Sequence, residues 1–482
     1  MNESTNQRIN AKGIAMPKKH VIIGGGPAGM HAVETIRKYE TPAVSEIHLV
    51  SDEPPYSRMV IPYWMAGTIA EDHVLTSGDP YYRKDGVAAH VGRRVTKVEP
   101  AANRVMLDDG TPLAYDTLLI ATGSSAARPP IPGIDLPGVH NLWTLDDARA
   151  VMRITTPQSR ILFVGAGFIG FIILNALFKR GNKLAVVEME RQVLPRMLDA
   201  TGGRLVESWL KRVAVAVHTG TSVRSIAKKD GSLQATLGYG QTLDADAVII
   251  ATGIRPNIGF LTGSGIKTAE GILVDQHLRT DFPNIYAAGD CAQGPDLSTG
   301  QQQIHAIQPT AIDHGRVAGA NMAGKNVAYR GSLLMNVLDV CGLQCASFGR
   351  WQGVPGGDHQ EVVNEGRPLY RKLLWDGDRI AGAVLLGPTG DVSNLNDLGM
   401  IKGFIQTQTP LGTWKQFLAD HPLDVRRPYI ACGVAEKLLT TTLLPEATAD
   451  LGYRYQSAQP TGDPGPYHPI FVGTYPAASK RA

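Results

Sequence analysis

Twice in this chain an apolar, β-branched run breaks into closely spaced glycines and a helical pattern takes over. The first copy is Val21-Ile22-Ile23-Gly24-Gly25-Gly26-Pro27-Ala28-Gly29-Met30, with the helical pattern running from Ala28 to Tyr39. The second is Arg160-Ile161-Leu162-Phe163-Val164-Gly165-Ala166-Gly167-Phe168-Ile169-Gly170. Gly24, Gly26 and Gly29 carry the spacing of a dinucleotide-binding turn, and so do Gly165, Gly167 and Gly170. The first glycine of each set permits a tight turn, the second lets backbone approach a pyrophosphate, and the third lets helix pack on strand. The helix start offers free N–H groups and a positive dipole end to phosphates. One such turn also occurs where nothing binds. Its repetition constrains the fold.

An acid follows each turn at a strand end. Glu46-Ile47-His48-Leu49-Val50-Ser51-Asp52-Glu53 reads as a strand ending in acid, and Glu53 is the expected ribose ligand with Asp52 as the alternative. The bland reading is that both are solvated loop charges. In the second copy Lys183-Leu184-Ala185-Val186-Val187 ends at Glu188, at close to the usual spacing of about 20 residues. A carboxylate there suits the 2′-hydroxyl of NADH and repels the 2′-phosphate of NADPH, although Arg191 lies close in sequence. Two further strands stop on small residues: Thr117-Leu118-Leu119-Ile120-Ala121-Thr122-Gly123 and Ala247-Val248-Ile249-Ile250-Ala251-Thr252-Gly253. Such an end lets backbone lie against a cofactor. The same elements in the same order indicate an internal duplication of a nucleotide-binding unit.

The rest of the chain limits the function classes. Its 482 residues imply about two to four domains. A formal charge of +3 gives nucleic acid binding no support, and four cysteines without regular spacing do not make a disulfide scaffold. Residues 1–17 read as a polar, disordered tail without a secretion signal, and no apolar run reaches the roughly 20 residues that span a bilayer. The expectation is a soluble, cytoplasmic protein without a transmembrane segment. Short strands are expected from Ala88 to Val98 and from Arg104 to Leu107, and strands with hairpins from Tyr329. Helices are expected to about Ala323, from Val392 to Phe404 and from Tyr429 to Leu439, before a Pro/Gly-rich tail from Gln459.

With the segment Arg279-Thr280-Asp281-Phe282-Pro283-Asn284-Ile285-Tyr286-Ala287-Ala288-Gly289-Asp290, the chain resembles the pyridine nucleotide–disulfide oxidoreductase superfamily over residues 18–405. The resemblance implies an α/β fold with two Rossmann-like dinucleotide-binding domains and an α+β C-terminal interface domain. A discontinuous FAD domain would span 18–140 and 280–325, an NAD(H) domain 141–279, and the interface domain 326–405, which implies a homodimer. Residues 406–482 would form an extension where a partner could dock. The implied FAD-binding residues are Gly24, Gly26, Pro27, Ala28, Gly29, Glu53, Arg58, Val95, Ala121, Thr122, Gly123, Gly289, Asp290 and Pro309, with Gln308-Pro309-Thr310 near the isoalloxazine ring. The implied NAD(H)-binding residues are Gly165, Gly167, Phe168, Ile169, Gly170, Glu188 and Gly253.

Glu53-Pro54-Pro55-Tyr56-Ser57-Arg58-Met59-Val60-Ile61-Pro62-Tyr63 is similar to the segment beneath the flavin in ferredoxin-reductase-like, nitrite-reductase-like and NADH-oxidase-like members. The departures carry information. Met59 holds the redox cysteine's position, Pro27 that of a histidine in oxidases and peroxidases, Tyr63 that of a lysine, and Ile172 that of an acid near the nicotinamide. Thiol chemistry at the flavin is therefore not expected. The implied activity is an FAD-dependent NADH:acceptor oxidoreductase, with Phe168 gating the flavin and Arg58 beside it. It would exchange electrons with a ferredoxin-like carrier, an iron–sulfur or heme subunit, or a quinone, as a dimer or complex subunit. The alternatives are a hydrogen-peroxide-forming NADH oxidase and a flavin-binding structural or signalling subunit with a relic NAD domain.

Other candidates have plainer readings. Cys341 and Cys345 could be a redox pair or metal ligands, but packing is the commoner role of free cysteine. Cys291 reads as structural. His305 could relay protons or serve a helix cap. Asp420-His421-Pro422 superficially matches the disulfide-reductase His-Pro segment, but in the wrong surroundings.

Overall fold

The computed structural model describes residues 17–439. The remainder of the tail expected over 1–17, and the segment expected from Gln459, lie outside them.

The first glycine turn rises from the centre of a five-stranded parallel sheet. Its strands lie in the order Ile285–Ala287, Thr117–Ile120, Lys18–Ile23, Ser45–Ser51 and Val87–Val91. The second rises from an equivalent parallel sheet: Ala216–His218, Lys183–Val187, Arg160–Val164, Ala247–Ile250 and Val139–Asn141. Parallel strands covered on both faces need apolar residues on both, which is why Val21–Ile23 and Ile161–Val164 are continuous buried runs.

The duplication extends to hydrogen-bond register. Gly24 N–H donates to Val50 O and Gly165 N–H to Val187 O, each at 2.8 Å. Ala121 N–H donates to Ile23 O and Ala251 N–H to Val164 O, also at 2.8 Å each. A three-stranded antiparallel meander precedes the Ala-Thr-Gly strand in both copies: Val95–Glu99, Arg104–Leu107 and Pro112–Ala114 in the first, Val223–Lys229, Ser232–Leu237 and Thr242–Ala245 in the second.

Ile285–Ala287 returns to the first sheet after the whole second unit, and the helix Gln308–Met322 then packs on the helix Pro27–Tyr39. The helices approach closely because Gly315 and Gly319 lack side chains. A Cβ at these positions would stand 2.2 Å from Ala28 O and 2.7 Å from Ala32 O.

The C-terminal sheet is antiparallel, in the order Met335–Val340, Leu343–Gly349, Arg379–Pro388, Leu369–Asp376, Asp358–Asn364. Two details differ from the sequence expectation. The helix that follows runs Val392–Thr407, so the expected division between residues 405 and 406 falls inside it. The helix expected over Tyr429–Leu439 is two, Arg426–Ala431 and Val434–Leu439, because Gly433 takes φ +60°; Trp414–Asp420 adds another. Leu418, Val425 and Val434 are buried with Ile401 and Phe404, so this part of the chain belongs to the core over the sheet.

Cys341 sits in the turn between Met335–Val340 and Leu343–Gly349 with φ +51°, and Cys345 pairs with Leu338 across that hairpin. Both are buried. Burial pushes the Cys341 thiol up to about 12 and the Cys345 thiol upward as well, which suppresses thiolate chemistry. Among the described residues no group of three or more His, Cys, Asp or Glu side chains is placed to hold a metal ion. No helix there is long and apolar enough to cross a membrane.

Candidate functional site

Both glycine turns show the same steric division of labour. A Cβ on Gly24 would lie 2.1 Å from Ala121 O, and one on Gly165 would lie 2.4 Å from Ala251 O. A Cβ on Gly29 would lie 1.9 Å from Gly24 O, and one on Gly170 3.3 Å from Gly165 O. Those four positions are constrained by the protein itself. Gly26 and Gly167 differ: a Cβ there meets nothing within 4 Å. The protein leaves space above the middle glycine of each turn, at the start of a helix that has no side-chain cap. This fits a pyrophosphate in both turns.

The first turn opens into a cavity of about 730 Å³. Gly24, Gly26, Pro27, Ala28, Glu53, Arg58, Ala121, Thr122, Gly123, Gly289, Asp290 and Pro309 line it, so twelve positions scattered between 24 and 309 converge on one space. Two expected residues stand outside. Gly29 is spent on the helix–strand contact. Val95 belongs to the antiparallel meander, paired with Leu107, because its strand turns away from the parallel sheet.

The charged groups around Glu53 and Asp290 in this wall are held by particular partners. Arg58 Nη2 donates to Glu53 Oε1 at 2.7 Å and Nη1 to Trp143 O at 2.9 Å, with the guanidinium 5.4 Å from the Trp143 ring centroid. The Tyr56 hydroxyl donates to Glu53 Oε2 and accepts from Leu145 N–H at 2.9 Å. Burial and this carboxylate together push the Tyr56 phenol well up. Two of Glu53's lone pairs are committed, which leaves capacity for ribose hydroxyls. Asp52 also lines the cavity but pairs with Arg94 at 2.8 Å. Ser124 Oγ donates to Asp290 Oδ2 at 2.7 Å, while burial pushes that carboxyl above the usual range.

Sequence reasoning missed several supports. Trp143 donates its indole N–H to Ser124 O at 2.7 Å, and Ser57 donates to Gln308 Oε1 at 2.7 Å. These bonds tie segments 19 and 251 residues apart, and no local pattern marks them. His314 is fully buried in the Gln308–Met322 helix; it accepts from Gly289 N–H at 3.3 Å and shares a proton with Ser332 Oγ at 3.2 Å. It thereby holds the turn carrying Asp290, where Gly289 takes φ +75°.

Burial pushes His314 down to about 3, so it is neutral in the folded protein. An unfolded chain would protonate it below its ordinary 6.5. Stability is therefore expected to fall as pH drops from 6.5 toward 3, by about 1.4 kcal/mol per pH unit from this group. Urea unfolding across that range should show a shallower slope in His314→Asn; an equal slope would contradict the assignment.

The second turn is separate from this space, yet its helix enters it. Phe168, Ile169 and Ile172 line the cavity, whereas Gly165, Gly167, Gly170, Glu188 and Gly253 do not. The helix Phe168–Lys179 is apolar all round, packing Phe171, Leu174 and Leu177 inward and Ile172 toward the cavity. Glu188 is buried, accepting from Ala166 N–H at 2.6 Å and from Glu190 N–H at 2.9 Å. Among the described residues no cysteine or histidine lines the cavity; Met59, more than one-third exposed, does. His305 is paired with Asp296 at 3.1 Å, and the His421 ring lies tilted against Phe417 with centroids 4.8 Å apart, both outside the cavity.

Comparison with known proteins bears on these features. The model of the pyridine nucleotide-disulphide oxidoreductase family matches residues 18–315, and that of the rubredoxin NAD+ reductase C-terminal domain matches residues 335–402. The NADH-dependent phenylglyoxylate dehydrogenase subunit epsilon of Aromatoleum evansii is 30% identical over 414 residues, covering 85% of this chain and 96% of that one. The NADH oxidase of Methanocaldococcus jannaschii is 34% identical over 318 residues, covering 64% and 71%. The solved covalent putidaredoxin reductase–putidaredoxin complex aligns with TM-score 0.77 at 22% identity, covering 86% of this chain and 99% of that one, which shows the shared fold.

Proposed function

Because the chain belongs to the pyridine nucleotide–disulphide oxidoreductase family, and is an FAD-dependent NADH oxidoreductase, we propose that it passes electrons from NADH to a protein electron carrier without an active-site thiol, as the flavoprotein subunit of a larger redox complex. The observation that carries this reading is the thiol-free cavity, with Met59 at its wall. FAD held by these residues would supply the redox chemistry between NADH and the carrier.

The chain's residues bind and orient. The turn at Gly24–Gly29 holds one pyrophosphate and Glu53 a ribose, with Asp290 on the ribityl chain. Gly165–Gly170 and Glu188 hold NADH. The apolar wall of Phe168, Ile169 and Ile172 keeps water from the space where nicotinamide and flavin meet. Arg58, fixed by Glu53 and Trp143, places a positive charge where negative charge builds up on reduction. The name of the Aromatoleum relative, a subunit matched over nearly its whole length, supports the complex.

A second reading, hydrogen-peroxide formation, is favoured by the NADH oxidase similarity. Anaerobic NADH titration separates the readings. One equivalent of NADH per FAD should bleach the flavin, which should then recover rapidly with a one-electron acceptor and slowly with oxygen. Rapid oxygen uptake would favour the oxidase, and flavin that NADH leaves unbleached would refute both.

A further inference from the structure

One carboxyl in the cavity wall has no fixed partner. Glu53 is held by Tyr56 and Arg58, Asp52 by Arg94 and Asp290 by Ser124. Asp313 lines the same cavity from the Gln308–Met322 helix, one turn beyond Pro309, and among the described residues no hydrogen bond or salt bridge reaches it. The charged groups that face it are Arg316 on its own helix and Lys402 on Val392–Thr407, both also in the cavity wall; the Tyr329 phenol senses it from beyond the helix end. Met335 and Val337 of the C-terminal sheet line the same cavity. Asp313 is half-buried, and its carboxyl, without a protein partner, is open to what the cavity holds. Perturbed, uncommitted groups of this kind concentrate at functional sites.

The other titratable groups of the wall are poorly suited to exchange protons near neutrality. Tyr56 is pushed far up, and Asp52, Glu53 and Asp290 are engaged by Arg94, Arg58 and Ser124. Burial raises the Asp313 carboxyl, and Arg316 and Lys402 pull it back down. The net direction is upward, because burial outweighs the two cations.

We propose that Asp313 is the proton-exchange group of this cavity, taking up the proton released during turnover and passing it to solvent beside the exposed Arg316. The step rests on the electron-carrier reading above. One NADH and two oxidised one-electron carriers give NAD+, two reduced carriers and one proton. The nicotinamide C–H bond breaks as hydride, both its electrons leave to the carriers, and its proton is left in the cavity. Asp313 accepts it as a carboxylate and is restored when solvent takes it.

The test uses the full-length holoprotein and its Asp313→Asn and Asp313→Glu variants. Each is photoreduced anaerobically and re-oxidised with ferricyanide in the presence of a pH-indicator dye. Photoreduction makes the release independent of NADH, so failure of NADH to bleach the flavin refutes the function reading, whereas wild-type release in Asp313→Asn refutes the role of Asp313. The expected result is proton release slowed about 100-fold in Asp313→Asn and restored in Asp313→Glu. A carboxyl carbonyl band in the redox-difference infrared spectrum should vanish in the Asn variant alone. Wild-type release and an unchanged band would overturn the proposal. Should the Asn variant lose FAD, Lys402→Gln decides. Removing that cation raises the carboxyl's proton affinity, so the acid limb of the re-oxidation rate should move to higher pH, and an unmoved limb is the refuting result.

Discussion

Gly26→Ala is expected to strip FAD from the protein while leaving the polypeptide folded. Gly26 has φ −75°, ordinary for any residue, and its added Cβ meets nothing within 4 Å. Alanine there should cost the apoprotein well under about 1 kcal/mol. The methyl group would occupy the space the protein leaves for a pyrophosphate. Overpacking of about 1–3 kcal/mol converts to an affinity loss of about 5- to 150-fold. The flavin-to-protein absorbance ratio after gel filtration should collapse, with the apoprotein's Tm within a few degrees of wild type. Full flavin occupancy would remove Gly26 from the site.

The neighbouring Gly24→Ala should behave differently. It combines φ +110° with a contact 2.1 Å from Ala121 O, so it should lower folded yield before any question of ligand arises. By the duplication, Gly167→Ala should weaken NADH binding and leave FAD in place.

Glu188→Gln is expected to raise the KM for NADH about 10- to 100-fold, with kcat nearly unchanged and FAD content intact. Both carboxylate oxygens accept backbone N–H groups, from Ala166 in the glycine turn and from Glu190 beyond the strand. Glutamine keeps one acceptor and turns an NH2 toward the other donor. Leaving that buried donor unsatisfied costs about 1–3 kcal/mol and loosens the turn itself. Discrimination against NADPH should relax together with NADH affinity, because the repulsive charge is gone. Steady-state kinetics with both nucleotides checks this; an unchanged KM for NADH would place the nucleotide elsewhere.

Much of this site could be read in one dimension. The two glycine sets, the strand-end acids and the Ala-Thr-Gly ends were legible because each is governed by its neighbours in sequence. Gly24 must be glycine for a reason of backbone geometry, and Ile161–Val164 must be apolar because both faces of the strand are covered. The strand around Val95 was legible too, but its pairing with Leu107 in a separate meander depends on partners that local sequence leaves open. The helix expected as one piece over Tyr429–Leu439 breaks at Gly433, where a backbone with φ +60° ends one helix and starts another.

Fold class, duplication and the two turns follow from local order along the chain, because strand periodicity, glycine sterics and helix starts act over a few residues. Which side chains share the cavity, and which of its acids are already spoken for, depends on long-range folding. Arg58 meets Trp143, Ser57 meets Gln308 and Asp313 faces Lys402 across separations of 85, 251 and 89 residues. Whether a carboxyl is paired, buried or left open is settled by what the folded chain carries to it from such distances. Glu53 and Asp313, alike as acids in the sequence, therefore come to differ in the cavity they share.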